Sequence, residues 1–208
     1  MFIEYLKNAF SDPQEQIIKF DLFHDLLLEA NKRVNLISRQ TKPEQLWSYH
    51  FYDSLLPLSC DVDFNSKMVM DLGSGGGLPG IPLAISNPST LFILMDSREK
   101  KILELKQMIK KLDLNNCYPI CKRLEEFRWS EVENLIPEND GLDVIVCRSV
   151  KITPKLLRKM RVLLKDAGYI LLYKGREIEE SWLLKDAEIL LKEEKPWGER
   201  TLLKINKI

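Results

Sequence analysis

The sequence has little histidine, no paired cysteine pattern and no net charge. Two histidines, His24 and His50, and four cysteines, Cys60, Cys117, Cys121 and Cys147, stand among 208 residues, with no C-x-x-C spacing. A structural zinc site needs about four ligands at tight spacing, so none is expected. Size and context argue against a disulfide scaffold. Cys117, Cys121 and Cys147 lie in or beside apolar runs and are expected to be buried thiols. No apolar run approaches the roughly 18 residues that a membrane span requires. The first ten residues carry Glu4 and Lys7 and no apolar signal core, so a cytoplasmic protein is expected. Basic and acidic side chains number 31 each. No global field therefore draws in an anionic partner, which must be met by a local patch. What is present, 45% hydrophobic and 30% charged residues, reads as a globular chain of one domain.

Periodicity divides that chain in two. Residues 1–63 read as a helical segment packed on the core: Leu22, Phe23, Leu26, Leu27, Ala30 and Val34 recur at helical spacing, and a second helix is expected from Glu44 to Leu58. Residues 64–208 alternate short apolar runs with amphipathic stretches. Strands are expected over Lys67–Leu72, Leu91–Met95, Cys117–Cys121, Leu142–Cys147, Tyr169–Tyr173 and Thr201–Ile205, the third weakened by Pro119. Helices are expected over Arg98–Leu112, Lys155–Leu164 and about Glu177–Leu191, with a turn at Asp166–Gly168. This alternation predicts an α/β fold, a doubly wound and mostly parallel sheet with an N-terminal helical extension.

The strongest signal is the stretch Asp71-Leu72-Gly73-Ser74-Gly75-Gly76-Gly77-Leu78-Pro79-Gly80, which follows the first strand and opens a helix. Glycines there allow a sharp turn and close approach of a ligand to the backbone. A dinucleotide-binding G-x-G-x-x-G, counted from the strand end, places Leu78 where the third glycine belongs. Gly75, Gly77 and Gly80 match that pattern only two residues late. The acidic-x-G-x-G-x-G loop of S-adenosylmethionine (SAM) methyltransferases fits Asp71, Gly73, Gly75 and Gly77 without a shift. Asp71 can meet a cationic amino group, directly or through water, and Asp96, ending the second strand, suits ribose hydroxyls. A dinucleotide-dependent oxidoreductase stays open as the alternative, as does a glycine turn without ligand.

Several motifs occur in order: Asn35–Arg39, Trp47-x-x-His50-Phe-x-Asp53-Ser54-Leu55, Asp71–Pro82, Asp96-Ser97-x-x-Lys100-Lys101, Arg123-Leu-Glu-Glu126, Arg148, Lys174-Gly175 and Gly198-Glu199-Arg200. Together they resemble the glucose-inhibited division protein B family, bacterial methyltransferases of 16S ribosomal RNA. The G-L-P-G-I-P loop ending and H-x-x-D-S-L are the specific parts. The resemblance implies the Rossmann-like SAM-dependent methyltransferase fold and N7 methylation of one guanosine in the 530 loop. It implies 16S rRNA or the 30S subunit as partner; no membrane partner and a monomer are expected. It also places Gly73, Leu78, Leu124 and Glu125 in the cofactor pocket. Departures are Gly76 and Gly77, where a larger residue is frequent, and Ser149, where alanine is usual.

The residues after the fourth strand bear on the nucleophile. Cys147-Arg148-Ser149-Val150 offers neither the N-P-P-Y-like tetrapeptide of exocyclic-amine enzymes nor the aspartate of many ribose enzymes, and Cys147 reads as core. Guanine N7 has a free lone pair and needs no general base, so the work is positioning. An arginine bidentate to O6 and N7 would block the attacking lone pair. Arg148 is therefore expected to hold O6, a phosphate or the cofactor, and Arg123 and Arg200 to contact RNA. His50 and Asp53 share a helical turn and stand either at the site mouth or as an ordinary polar pair. His24 is expected to be solvated. Residues 151–176 hold eight basic side chains and one acid, and residues 177–194 hold seven acids and two lysines. The first segment offers a phosphate-binding surface, or else a solvated face. A methyltransferase-fold RNA-binding protein without catalysis remains the second reading.

Overall fold

The computed structural model describes residues 2–9, 13–132 and 141–207. Seven strands run in chain order: β1 Met68–Leu72, β2 Leu91–Asp96, β3 Cys117–Cys121, β4 Leu142–Arg148, β5 Leu164–Lys174, β6 Ala187–Lys195 and β7 Gly198–Asn206. Five α-helices accompany them: α1 Phe2–Ala9, α2 Gln14–Arg33, α3 Gly80–Ser86, α4 Glu99–Lys111 and α5 Pro154–Leu163. The strands form one sheet in the order β3-β2-β1-β4-β5-β7-β6. β1 to β5 are parallel, and β7 lies antiparallel between β5 and β6. The central strands are apolar along nearly their whole length because helices cover both faces. The chain winds outward from β1 to β3, then returns to β4 beside β1. The ends of β1 and β4 therefore form the switch point where open sheets of this type bind ligands.

The N-terminal segment closes one face. Phe2, Phe20, Phe23 and Phe51 pack ring against ring, with centroids 5.0 Å apart for Phe2–Phe20 and for Phe23–Phe51. This cluster is continuous with Ile81 of α3, Leu105 of α4 and Val146 of β4. Two polar ties reinforce the apolar contact. Arg33 on α2 grips Glu104 on α4 at 2.9 and 2.8 Å, and buried Tyr173 on β5 donates to the Ser54 carbonyl at 2.8 Å.

Five expectations need correction. The helix expected over Glu177–Leu191 is a short 3-10 turn, Ser181–Lys185, followed by strand β6. β6 forms because β7 supplies its backbone hydrogen bonds from Ala187↔Ile205 to Lys195↔Gly198. The helix expected from Glu44 to Leu58 is broken into a 3-10 turn at Pro43–Gln45, a π-helical turn at Trp47–Tyr52 and a 3-10 turn at Leu56–Cys60. Pro57 has no N–H to continue an α-ladder. The turn at Asp166–Gly168 lies within β5 as an irregularity, where pairing with β4 shifts from Leu142↔Leu164 to Val144↔Tyr169. Cys121 is exposed at the end of β3, whereas Cys117 and Cys147 are buried. His24 is not simply solvated: its ring stacks on Trp47 at 5.0 Å and 6°, and it bonds the Pro43 carbonyl at 3.1 Å. None of the helices is long and apolar enough to cross a membrane among the described residues.

Candidate active site

Two cavities meet at the carboxyl ends of β1 and β4. The larger, about 380 Å³, is lined by Gly73 of the glycine loop, Asp96 at the end of β2, Arg123, Leu124 and Glu125 after β3, and Ser149 and Val150 after β4. The loop is shaped for close approach: Gly73 takes φ +79°, and a Cβ there would stand 2.4 Å from Val150 Cγ2. Its N–H donates to the Met95 carbonyl at 2.9 Å, which ties the loop to β2. Asp96 holds the loop from the other side. Its Oδ2 accepts from Gly75 N at 3.1 Å and its Oδ1 from Arg98 N at 2.9 Å. Each oxygen keeps a further acceptor site.

Asp71, Gly75, Gly77 and Leu78 lie behind this wall and do not line the cavity. Asp71 is fully buried. Its Oδ2 accepts from Gly80 N at 2.8 Å, while Oδ1 and the neighbouring Ser74 Oγ are buried without a partner. Burial pushes the Asp71 carboxyl up to about 7, against the bond from Gly80. Gly77 serves packing, since a Cβ there would meet Ile81 Cδ1 at 2.5 Å. Leu124 contributes to the cavity wall and is also a core side chain, 2% exposed.

The second cavity, about 260 Å³, shares Ser149 with the first. Ser149 has φ +60°, a left-handed conformation that non-glycine residues adopt mainly where the surroundings impose it. Here the structure joins residues the sequence keeps far apart. Buried Asp53 accepts from Arg148 Nη1 at 3.0 Å through Oδ2, and from Arg200 Nε at 2.5 Å and Trp197 Nε1 at 3.4 Å through Oδ1. Arg148 Nη2 lies 2.9 Å from His50 Nδ1. Guanidinium only donates, so Nδ1 is the acceptor. Burial, with the Arg148 charge second, pushes His50 down to about 4. Of the three arginines expected at the site, Arg148 and Arg200 thus come together on Asp53, and Arg123 stands apart in the larger cavity. The sequence spacing singled out His50 and Asp53 without giving their partner. Lys174, which lines the second cavity and pairs with Glu180 at 2.7 Å, carried no role from the sequence beyond its motif and its place in the basic segment.

The basic segment is largely neutralised. Lys151, Arg161, Lys165, Lys174 and Arg176 pair with Glu179, Asp186, Asp143, Glu180 and Glu194 respectively. The acidic stretch supplies four of those five carboxylates. Lys155, Arg158 and Lys159 on α5 have no ion pair with a described residue.

A family described as rRNA small subunit methyltransferase G matches residues 16–201. A ribosomal RNA small subunit methyltransferase G from Oenococcus oeni is 36% identical over 180 residues, covering 86% of this chain and 72% of that one. Its counterpart from Helicobacter hepaticus is 38% identical over 161 residues, covering 77% and 81%. Among solved structures, a SAM dependent methyltransferase from Aquifex aeolicus superposes with a TM-score of 0.62 at 14% identity, over 86% of this chain and 98% of that one. A 16S rRNA N2 G1207 methyltransferase from T. thermophilus, in complex with AdoMet and guanosine, gives 0.53 at 16% identity, over 75% and 43%. The structural likenesses establish the α/β methyltransferase fold, and the sequence matches settle the rest: the chain belongs to the rRNA small subunit methyltransferase G family.

Proposed function

We propose that this chain transfers the methyl group of SAM to N7 of a guanosine in the 530 loop of 16S rRNA, free or within the 30S subunit. The carrying observation is the junction of the two cavities at Ser149, one suited to a nucleoside cofactor and one lined by held cations. The donor set fits the cofactor. Asp96 has acceptor sites for ribose hydroxyls, and the 380 Å³ cavity is of ligand size. Gly73, Asp96, Leu124 and Glu125, which line the cavity, would hold SAM, while Asp71, Gly75, Gly77 and Leu78 would shape the loop from behind it. SAM supplies a methyl made electrophilic by its sulfonium sulfur.

The remaining work belongs to the chain. Neither acid–base candidate of the second cavity is free to take a proton. Both Asp53 oxygens are engaged by cations, and His50 accepts through Nδ1 and so carries its proton on Nε2. An N7 lone pair needs no such base. The guanine must instead be placed and dehydrated, for which orientation supplies roughly 7–11 kcal/mol of the barrier in well-aligned systems. A loop guanine is the accessible target, because unstacking it costs least. Arg123, beside the cofactor cavity, is available to phosphate. One chain builds both cavities, so a monomer suffices, acting in the cytoplasm on ribosomal subunits.

The test is transfer of radiolabelled methyl to free 16S rRNA and to 30S subunits lacking the modification, with mapping of the product. Label at N7 of a single guanosine is expected. Label on an exocyclic amine or a ribose, or binding without transfer, overturns the reading.

A further inference from the structure

We infer that His50 is a specificity-determining residue whose outward Nε2–H recognises O6 of the target guanine. The inference rests on the N7 reading above and deepens it. Arg148 is the other candidate for O6, but each of its terminal nitrogens already gives one N–H away, to Asp53 and to His50, so the direction of its remaining N–H groups is fixed by those bonds. Those contacts make Arg148 a positioning residue. By donating to Nδ1 it fixes both the ring orientation of His50 and its tautomer, since a neutral imidazole with Nδ1 as acceptor carries hydrogen on Nε2. Nε2 has no partner among the described residues and is not among the buried unpaired atoms, while the ring lines the second cavity. The ring of His50 thus brings a neutral donor to the lining of the cavity beside the larger one.

That donor matches what an N7 acceptor of methyl presents. A guanine offering its N7 edge to the cofactor offers O6 on the same edge, an acceptor. A neutral N–H reaches O6 without occupying N7. It is also suited to the product, because N7 methylation leaves the base cationic. An imidazolium would repel that charge, and the burial and Arg148 charge that hold His50 neutral prevent it. Asp53, between Arg148 and Arg200, supplies the carboxylate among the described residues that line the cavity. Adenine, with a donor amine in place of O6, would meet His50 donor to donor and be rejected.

The experiment compares guanosine with 2-aminopurine at the target position of a small-subunit RNA substrate, in wild type and in His50→Ala, His50→Asn and His50→Gln. 2-Aminopurine keeps N7 and loses O6. Its intrinsic reactivity differs from that of guanosine, so the readout is the ratio of methyl transfer to the two substrates. Wild type should favour guanosine about tenfold more strongly than His50→Ala does, the size of one hydrogen bond of about 1.4 kcal/mol. His50→Gln, which keeps a donor near the Nε2 position, should retain part of that preference. His50→Asn, which keeps only the atom facing Arg148, should lose it. SAM affinity and thermal midpoint report whether each variant is folded, and the Gln and Asn pair carries the comparison if Ala is not. An equal ratio in wild type and folded variants, with methyl still at N7, overturns the assignment of His50 and leaves the function intact. Methyl at another atom in wild type overturns the function and this inference with it.

Discussion

Asp53 and Arg148 meet across 95 residues of sequence, with Oδ2 3.0 Å from Nη1 and both side chains almost excluded from solvent. The pair links the N-terminal segment to the end of β4, and Arg200 of β7 joins it on the other oxygen. Removing the carboxylate would leave two guanidinium groups facing each other in a poorly solvated site. Asp53→Asn should destabilise the protein by about 3–5 kcal/mol, as breaking one partner of a buried pair does, and should abolish methyl transfer. Urea unfolding measures the first effect. A loss below about 1 kcal/mol would mean that the pair behaves as an exposed one.

Asp71 and His50 should tilt stability against pH in opposite directions. Burial raises Asp71 from 3.8 to about 7. Between those values the folded protein keeps a proton that the unfolded chain has released, so this group makes stability fall as pH rises. Burial and Arg148 lower His50 from 6.5 to about 4. In that window the unfolded chain takes a proton that the folded protein refuses, so this group's contribution is present above 6.5 and is lost as pH falls toward 4. The two slopes oppose each other over nearly the same range. Asp71→Asn should therefore expose a rise in stability with pH, and His50→Gln a fall, in denaturation series across about pH 4.5–6.5. Variants that both keep the wild-type profile would contradict the burial assigned to these groups.

The sheet and the glycine loop were legible because their signals are local. Met68–Leu72 and Leu142–Cys147 are apolar runs that only a strand covered on both faces accommodates, and Asp71 to Gly77 is a contiguous pattern. Ala187–Lys195 misled because its conformation is set by β7, which lies on the far side of a turn. Its own residues, Glu188, Lys192, Glu193 and Glu194 among Ile189, Leu190 and Leu191, suit a helix as well as a strand. The second cavity failed for a related reason. Spacing brought His50 and Asp53 to notice, but their role depends on Arg148 and Arg200, and nothing within one helical turn announces a partner about a hundred residues away. Asp71 stood out in the sequence as a candidate, but its place behind the loop was not legible, since burial depends on Gly80 and the packing of α3.

Gly73 gives a direct test of the cofactor wall. Its φ of +79° opposes any side chain, and so does the 2.4 Å that would separate a Cβ from Val150. Gly73→Ala should cost about 1–3 kcal/mol in stability from backbone strain and should lower SAM affinity by pushing Val150 into the cavity. Gly75 has φ +57°, but the nearest atom to a Cβ there would be Lys101 Nζ at 3.6 Å. Gly75→Ala should therefore share the strain without the collision and keep more of the affinity. Calorimetry with SAM on both variants ranks them, and equal losses would show that Val150 does not shape the cavity.

RNA docking should depend on three side chains rather than eight. Most of the basic segment is already matched by the acids that follow it, as Lys174 is by Glu180 at 2.7 Å and Arg161 by Asp186 at 3.1 Å. A cation held by a protein carboxylate displaces few counterions from RNA. Lys155, Arg158 and Lys159 have no such carboxylate among the described residues and lie on α5, which follows β4 and the shared Ser149, so their charge is free for phosphate. Replacing all three by Ala should flatten the plot of log affinity against log salt by about two to three units, at roughly 0.7–0.9 per phosphate contact. SAM affinity should not change, because none of the three lines the larger cavity proposed for SAM. Lys151→Ala, which removes a cation paired with Glu179 at 3.5 Å, should alter the slope by less than any one of them. An unchanged slope in the triple variant would exclude this face of α5 from RNA contact.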